Sequence, residues 1–375
     1  MSYSPLISLI LCVKDGMPYL PEAVESVAAQ SYRNFELIVQ DGGSTDGTLE
    51  FLQRVNGIPA IQIQSEADSG VGQARNRAIQ RCSGEIVGII DADNLMEKDV
   101  LREVVDSFEK NQDCAAIYGA AKLVDSEGRC RKLFQPECFD LLRLMKCDLV
   151  PPFGTSFFSR NVCGEELRFD ESLKTCEDFD LWLRISHLRI AATQSILGSA
   201  RLSEKSMTYR TETYEQFCKD KIAALEHYLA RYEQYPFMEI IYRLSVAGIY
   251  SWAAKHILES EGPSKKADEF FEKADAIDPS SDQLRSLIFV SALGPAIHYV
   301  YDKQPMFAQL EYDLNRNLTS GGKRTPITWL RIVTKFLFGR YPENKELYAL
   351  NKERYAFRLV NYDPYPASPN SVTRE

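Results

Sequence analysis

Ile86-Val87-Gly88-Ile89-Ile90-Asp91-Ala92-Asp93-Asn94 is the stretch on which the architecture turns. A short apolar run, rich in β-branched residues, predicts a strand buried on both faces of a parallel sheet. Its C-terminal end carries two carboxylates separated by one residue. Ligands of open α/β sheets gather at that end. Asp91 and Asp93 could both reach a hard divalent cation that already carries diphosphate oxygens, because Mg2+ is commonly held by one or two carboxylates plus the substrate's phosphates. A strand ending in a solvated turn is the other reading of the same residues, since Asp and Asn are frequent in turns.

Upstream, the pattern repeats. Leu6 to Val13 reads as a first buried strand, and Lys14-Asp15-Gly16 turns it into a helix with Leu20, Val24, Val27 and Ala28 at helical spacing, opened by Pro18 and Pro21. Phe35 to Val39 is a second strand. It ends in Gln40-Asp41-Gly42-Gly43-Ser44-Thr45-Asp46-Gly47, whose glycines allow positive φ and close approach of backbone to a ligand. Thr45 or Asp46 is placed to cap the helix that follows. Ile61 to Ile63 is a third strand, and Asp68 to Arg77 leads through a helix back to the Asp91 strand. Strand and helix alternating over residues 6–110 imply a doubly wound, mostly parallel sheet. Gly70-Val71-Gly72 is not a dinucleotide fingerprint: it lacks the third glycine and follows the third strand rather than the first.

Beyond residue 110 the regularity breaks into strand-like pieces at Ala115–Tyr118 and Lys122–Val124 and a helix near Cys138–Lys146. In Val150 to Arg160 the prolines exclude a helix, which leaves a strand or loop facing a ligand. Glu177-Asp178-Phe179-Asp180-Leu181-Trp182-Leu183-Arg184-Ile185 predicts a helix with three acids in its first turn. The helix dipole alone favours acids there, by roughly 0.3 to 1 kcal/mol each.

Composition narrows the classes. The 375 residues carry a formal charge of −9. It is −8 over residues 1–210, −6 over 211–318 and +5 over 319–375. An acidic body argues against nucleic acid, whereas the basic end leaves room for an anionic membrane surface. Nine cysteines without a C-x-x-C pair and four scattered histidines suggest neither a zinc site nor a disulfide framework, so reduced thiols and a cytoplasmic location are expected. No signal peptide or membrane-spanning stretch is expected either.

Taken together, the motifs resemble a family 2 glycosyltransferase of the GT-A fold over about residues 5–210. They are the strand Ser8–Val13, "VQDGGSTDGT" at 39–48, "DSGVGQARNRAI" at 68–79, "IIDADN" at 89–94 and "EDFDLWLR" at 177–184. The resemblance implies a GT-A nucleotide-sugar-binding domain over residues 1–210. It also implies inversion at the anomeric carbon, a divalent metal (Mg2+ or Mn2+) and a nucleotide-sugar donor, UDP-linked because an ionised Asp41 suits the N3–H of uracil or thymine. Asp15 joins the donor-binding set. Asp46 braces the turn or Arg75, and Arg75 neutralises diphosphate charge or orients Asp91. Asp91 touches ribose or the donor sugar, and Asp93 binds the metal. Asp178 is the general base and Glu177 holds sugar hydroxyls. Two departures stand out. Asn94 follows the acidic pair where many relatives have a further Asp. Ser203 stands in Arg201-Leu202-Ser203-Glu204-Lys205-Ser206-Met207-Thr208 where some have His, leaving Lys205 to supply charge to a phosphate.

Residues 211–360 read as a mainly α-helical region. Ala267, Phe271, Ala274 and Pro279 have the spacing of the second helix of a tetratricopeptide unit, and a single unit cannot bury its own face, so a helix pair near 250–280 packed on the enzyme domain is expected. Thr325 to Arg340 interleaves aromatic, aliphatic and basic residues, as a packed helix or one lying peripherally at the inner face of a membrane would. Residues 361–375 form a Pro- and Ser-rich loose tail. The function that follows is sugar transfer to a hydroxyl of a glycan or lipid-linked acceptor in polysaccharide biosynthesis. A non-catalytic glycan- or partner-binding protein on the same fold is the alternative, and the intact Asp41, Asp91, Asp93 and Asp178 count against it. A nucleotidyltransferase would show a Gly-rich, basic loop after the first strand, where this chain has only Lys14-Asp15-Gly16.

Overall fold

The structure is a computed structural model that describes residues 3–201, 213–232 and 237–277. Its first half alternates as expected: β1 (Ile7–Val13), α1 (Leu20–Ala28), β2 (Phe35–Asp41), α2 (Thr48–Leu52), β3 (Ile61–Ser65), α3 (Val71–Arg81) and β4 (Ile86–Asp91). There follow β5 (Leu95–Met96), α4 (Val100–Lys110), β6 (Cys114–Val124), β7 (Cys130–Phe134), α5 (Leu141–Met145), β8 (Ser156–Ser159), α6 (Arg160–Cys163), α7 (Glu177–Arg184) and β9 (Arg189–Arg201). Three further helices close the described chain: α8 (Tyr214–Leu229), α9 (Phe237–Glu261) and α10 (Lys265–Ile277).

Strand order is β3-β2-β1-β4-β8-β6-β9-β5, with β7 added to β6. The first four strands are parallel. The sheet is mostly parallel, as expected: β8 runs antiparallel to both β4 and β6, so that β6 and the β9 parallel to it share the direction of the first four strands, and only β5, β7 and β8 oppose it. The pairing of β8 with β4, which sets Gly88 opposite Phe157, explains a glycine. A Cβ on Gly88 would lie 2.5 Å from the Phe157 ring and 2.8 Å from Leu9, so the strand accepts its neighbours only where no side chain stands.

Apolar faces account for the core. Every residue of β2 is buried, and α4 turns Leu101, Val104, Val105 and Phe108 inward at helical spacing. Trp182 of α7 is fully buried among the rings of Tyr118, Phe139 and Phe158, and truncating such a side chain to alanine costs about 3 to 5 kcal/mol.

Several local expectations shift. Ala115–Tyr118 and Lys122–Val124 belong to one strand, β6, whose register against β9 slips in between. The helix near 138–146 contracts to α5 because Asp140 caps it, accepting the N–H groups of Leu142 and Arg143 at 3.1 Å each. Within 150–160 a single 3-10 turn, Phe153–Thr155, precedes β8. In α10 Phe270, not Phe271, is buried with Ala267 and Ala274, and the helix folds back on α9 after Gly262 (φ 77°). α8 packs on α7 and α9 on α5, so these helices join the sheet in one compact unit.

Candidate active site

The ends of β1, β2 and β4 lie side by side, with Val13 paired to Asp41 and Cys12 to Asp91. Around these ends the chain assembles every acid that the sequence singled out in residues 1–201.

At the β2 end Asp41 is fully buried. Its carboxylate accepts the N–H groups of Gly43 (3.1 Å) and Ser44 (3.2 Å) and the hydroxyl of Ser65 (2.5 Å), and is also bonded to the Ser44 hydroxyl. Four donors thus converge on it, and a nucleobase N–H would have to replace one of them. Asp15, with φ 52°, accepts the Thr45 N–H at 2.8 Å, while its own N–H donates to Ser44 Oγ. Asp46 accepts the N–H groups of Met17 (2.9 Å) and Thr48 (3.1 Å) and does not reach Arg75. Burial acts upward on Asp46, but the bonds from Thr48 and Met17 outweigh it and hold the carboxyl below its usual range. Asp15 and Asp46 therefore lace the β1–α1 loop to the glycine turn, and Asp41 ties that turn to β3 through Ser65. The cap expected from Thr45 or Asp46 becomes Gly47 at φ 94°, with Asp46 still accepting the first helical N–H.

At the β4 end Arg75 is the keystone. Reaching from α3, its buried guanidinium donates to Asp91 Oδ1 at 3.0 Å and to Glu177 Oε1 of α7, and its faces lie 4.8 Å from the Phe153 ring centroid and 5.4 Å from that of Phe169. Burial opposes the charge, yet Glu177 and Asp91 outweigh it and raise the guanidinium's pKa. Arg75 thus holds the Asp91 carboxylate by a direct bond. It also carries Asp178, the next residue on α7, to the same end of the sheet. The Asp178 carboxylate accepts the Phe179 N–H at 2.8 Å.

Asp93 is mostly desolvated. Burial first, and then the negative charge of Asp91, push its carboxyl up to about 6. Among the described residues no side chain is hydrogen-bonded to that carboxylate, and no group of three or more His, Cys, Asp or Glu side chains is arranged to hold a metal by itself. Two neighbouring carboxylates, of which Asp93 accepts no side-chain hydrogen bond among the described residues, fit a hard divalent ion that takes its other ligands from phosphates and water.

Sequence reading missed the supports of this acidic turn. Asn94 donates to Asp91 Oδ2 at 3.1 Å and accepts the Arg201 N–H at 3.1 Å. Arg201, buried at the end of β9, donates to the Asp93 carbonyl (3.3 Å), the Ser126 carbonyl (3.0 Å) and Glu22 (2.6 Å) and lies over the Tyr19 ring. A Cβ on Gly154 would come within 3.0 Å of the Asn94 amide, so a residue without a side chain closes the turn from the other side. Lys205, Ser203 and the segment 325–340 lie outside the described residues.

The glycosyl transferase family 2 model matches residues 8–160. A chondroitin synthase from Escherichia coli is 24% identical over 229 residues, which are 59% of this chain and 33% of that protein. An uncharacterized glycosyltransferase from Rickettsia felis is 28% identical over 243 residues, 62% of this chain and 40% of its own length. The chain thus spans well under half the length of these curated relatives. Among solved structures, S. aureus TarS 1-349 in complex with UDP-GlcNAc superposes with a TM-score of 0.54 at 19% identity, covering 79% of this chain and 87% of that one, a likeness of fold. By its ordered motifs and by the family match over residues 8–160 the chain is similar to glycosyltransferase family 2, and its architecture is that of a GT-A fold.

Proposed function

We propose that the protein transfers a sugar, with inversion, from a UDP-linked donor to a hydroxyl of a glycan or lipid-linked acceptor. The observation that carries this reading is the Arg75 bridge, which sets the Asp91-x-Asp93 strand end against the first turn of α7 and so puts Asp178 beside the place where a donor's diphosphate would lie. The bound UDP-GlcNAc of TarS supports the choice of donor class.

In this reading Asp91, fixed by Arg75 and Asn94, receives ribose or sugar hydroxyls. Asp93 would hold Mg2+ or Mn2+, which when bound supplies Lewis-acid neutralisation of charge on the departing nucleoside diphosphate. Asp178 takes the proton of the acceptor hydroxyl as that oxygen attacks the anomeric carbon from the face opposite the leaving group. Glu177, committed to Arg75, holds α7 in place and offers its second oxygen to sugar hydroxyls. The laced β1–α1 and glycine loops form the wall on which the nucleoside rests.

A thermal-shift panel of nucleoside diphosphates and their sugars, with and without Mn2+, tests the reading. A ligand at a hundredfold excess over its Kd adds about 2.7 kcal/mol of stability, enough to rank the bases. Uridine nucleotides with Mn2+ should raise the melting temperature most, and no response to any nucleotide would contradict the assignment.

A further inference from the structure

Cys176, the residue from which α7 starts, is left-handed (φ 60°, ψ 24°) although it carries a side chain. Such a conformation is costly for a non-glycine residue and persists where the surroundings over-determine it. Here the surroundings come from α8. Buried Asp220 accepts the N–H (2.7 Å) and the hydroxyl (2.8 Å) of Thr175 on one oxygen and the Gln216 amide (2.7 Å) on the other. One turn earlier on α8, the Phe217 carbonyl oxygen lies 3.8 Å from Cys176 Sγ. Past the bend, the Asp180 N–H closes the first turn of α7 on the Cys176 carbonyl at 3.2 Å. Of the three acids in that turn, Glu177 and Asp180 are buried in ion pairs with Arg75 and Arg184, and Asp178 is the one left partly exposed.

We propose that Asp220 is a positioning residue for the transfer reaction: by clamping Thr175 it sets the left-handed joint at Cys176, and with it the direction in which α7 presents Asp178. The inference rests on the transferase reading of Asp178. Arg75 holds the same turn at a single point, through Glu177, and a helix end held at one point can pivot. The Thr175 clamp supplies the second point, on the other side of the joint. It is built to be firm, because bonds to an ionised acceptor are about twice as strong as neutral ones and one oxygen takes both donors of the same residue. Upstream, the segment that leads into the joint is fixed as well: Asn76 of α3 accepts the Phe169 N–H at 2.8 Å and donates to its carbonyl at 2.9 Å. The family match ends at residue 160, so the clamp makes a helix beyond it a working part of the catalytic apparatus rather than an appendage.

The test compares Asp220→Ala, Asp220→Asn, Thr175→Val and wild type in the full chain by two readouts. One is amide hydrogen exchange over residues 174–181. The other is single-turnover release of UDP from the UDP-sugar that gives the largest thermal shift with Mn2+, water serving as acceptor, beside the affinity for that UDP-sugar. In Asp220→Ala the first turn of α7 should exchange about tenfold faster, and release should slow by about 10- to 100-fold with donor affinity near wild type, since a misplacement of about 1 Å costs on the order of 10² in rate. Asp220→Asn can still accept both Thr175 groups and should recover most of the rate. Thr175→Val keeps the N–H bond alone and should fall between. In an Asp178→Asn background, Asp220→Ala should slow release no further. Unchanged exchange in Asp220→Ala overturns the proposal, as do faster exchange with wild-type release and an equal slowing in the Asp178→Asn background. Should Asp220→Ala not fold, Thr175→Val with wild-type exchange and release does the same. If exchange responds to Asp220→Ala as expected while no UDP-sugar stabilises the wild-type protein, the transferase reading is what fails.

Discussion

The amide of Asn94 donates to Asp91 Oδ2 at 3.1 Å, and its oxygen accepts the backbone N–H of Arg201 at the same distance. An aspartate at 94 could make only the second of these bonds and would set a like charge beside Asp91. Asn94→Asp should therefore lower stability by about 1 to 2 kcal/mol at pH 7, with the loss shrinking toward pH 4. Denaturant unfolding at the two pH values measures it, and a variant as stable as wild type at pH 7 would show that the amide bridge is not needed.

Arg75 joins two elements through two carboxylates, so its removal leaves Glu177 and Asp91 without their shared cation. Arg75→Met should cost about 3 to 5 kcal/mol, the range for breaking one side of a buried ion pair. Arg75→Lys should recover only part, because an ammonium cannot make the forked contact or stack between Phe153 and Phe169. Equal stability of all three proteins would contradict the keystone role.

How much of this was legible beforehand depended on what kind of signal each part leaves in sequence. Ile86–Asp91 and Phe35–Asp41 announced themselves because buried parallel strands are continuous apolar runs, and Asp91 and Asp93 because ligands gather at the ends of such strands, whereas Glu177 and Asp178 stood out only through the family resemblance, the helix dipole being reason enough for acids there. Arg201 and Asn94 left no signal: their partners are backbone groups and side chains up to 179 residues away, and no local pattern encodes that distance. The antiparallel insertion of β8 was hidden for the same reason, since Ser156–Ser159 is too short to show which strand it will pair with. In α10 the error was one of phase. Phe270 and Phe271 are adjacent, and only the packing against α9 chooses between them.

Asp93 supplies a pH signature. Its carboxyl sits near 6 in the fold, above the ordinary carboxylate range, so the folded state prefers the protonated form. The destabilisation is fully present above pH 6 and is relieved as pH falls through that value. Asp93→Asn should thus raise stability without metal by on the order of 1 to 3 kcal/mol at pH 7 and by much less at pH 4.5. Protons compete with a cation for the same oxygens, so Mn2+-dependent nucleotide binding should strengthen from pH 5 to 7 and vanish in Asp93→Asn. Melting curves with and without Mn2+ and UDP check both halves, and Mn2+-dependent binding retained by the variant would remove Asp93 from the metal site.

Asp41 offers a sharper choice. With four donors on its carboxylate, Asp41→Ala should cost about 2 to 3 kcal/mol of stability through the groups left unsatisfied. If the carboxylate also reads the base, uridine diphosphate affinity should fall by more than the roughly 0.5 to 1.5 kcal/mol of one neutral hydrogen bond. Calorimetric titration decides: lost stability with unchanged affinity would confine Asp41 to bracing the loop.

The most direct measurement is single-turnover sugar transfer by Asp178→Asn protein, run beside donor binding and a melting curve. Asparagine can still accept the Phe179 N–H that Asp178 accepts at 2.8 Å, so the first turn of α7 keeps its bond while the basicity goes. A general base contributes in the transition state and little to donor affinity, so transfer should slow by about 10² to 10⁴ with donor affinity and melting temperature near wild type. A variant that is less stable by a few tenths to about 1 kcal/mol yet transfers sugar at the wild-type rate would mean that Asp178 serves only the helix dipole, and would contradict the account.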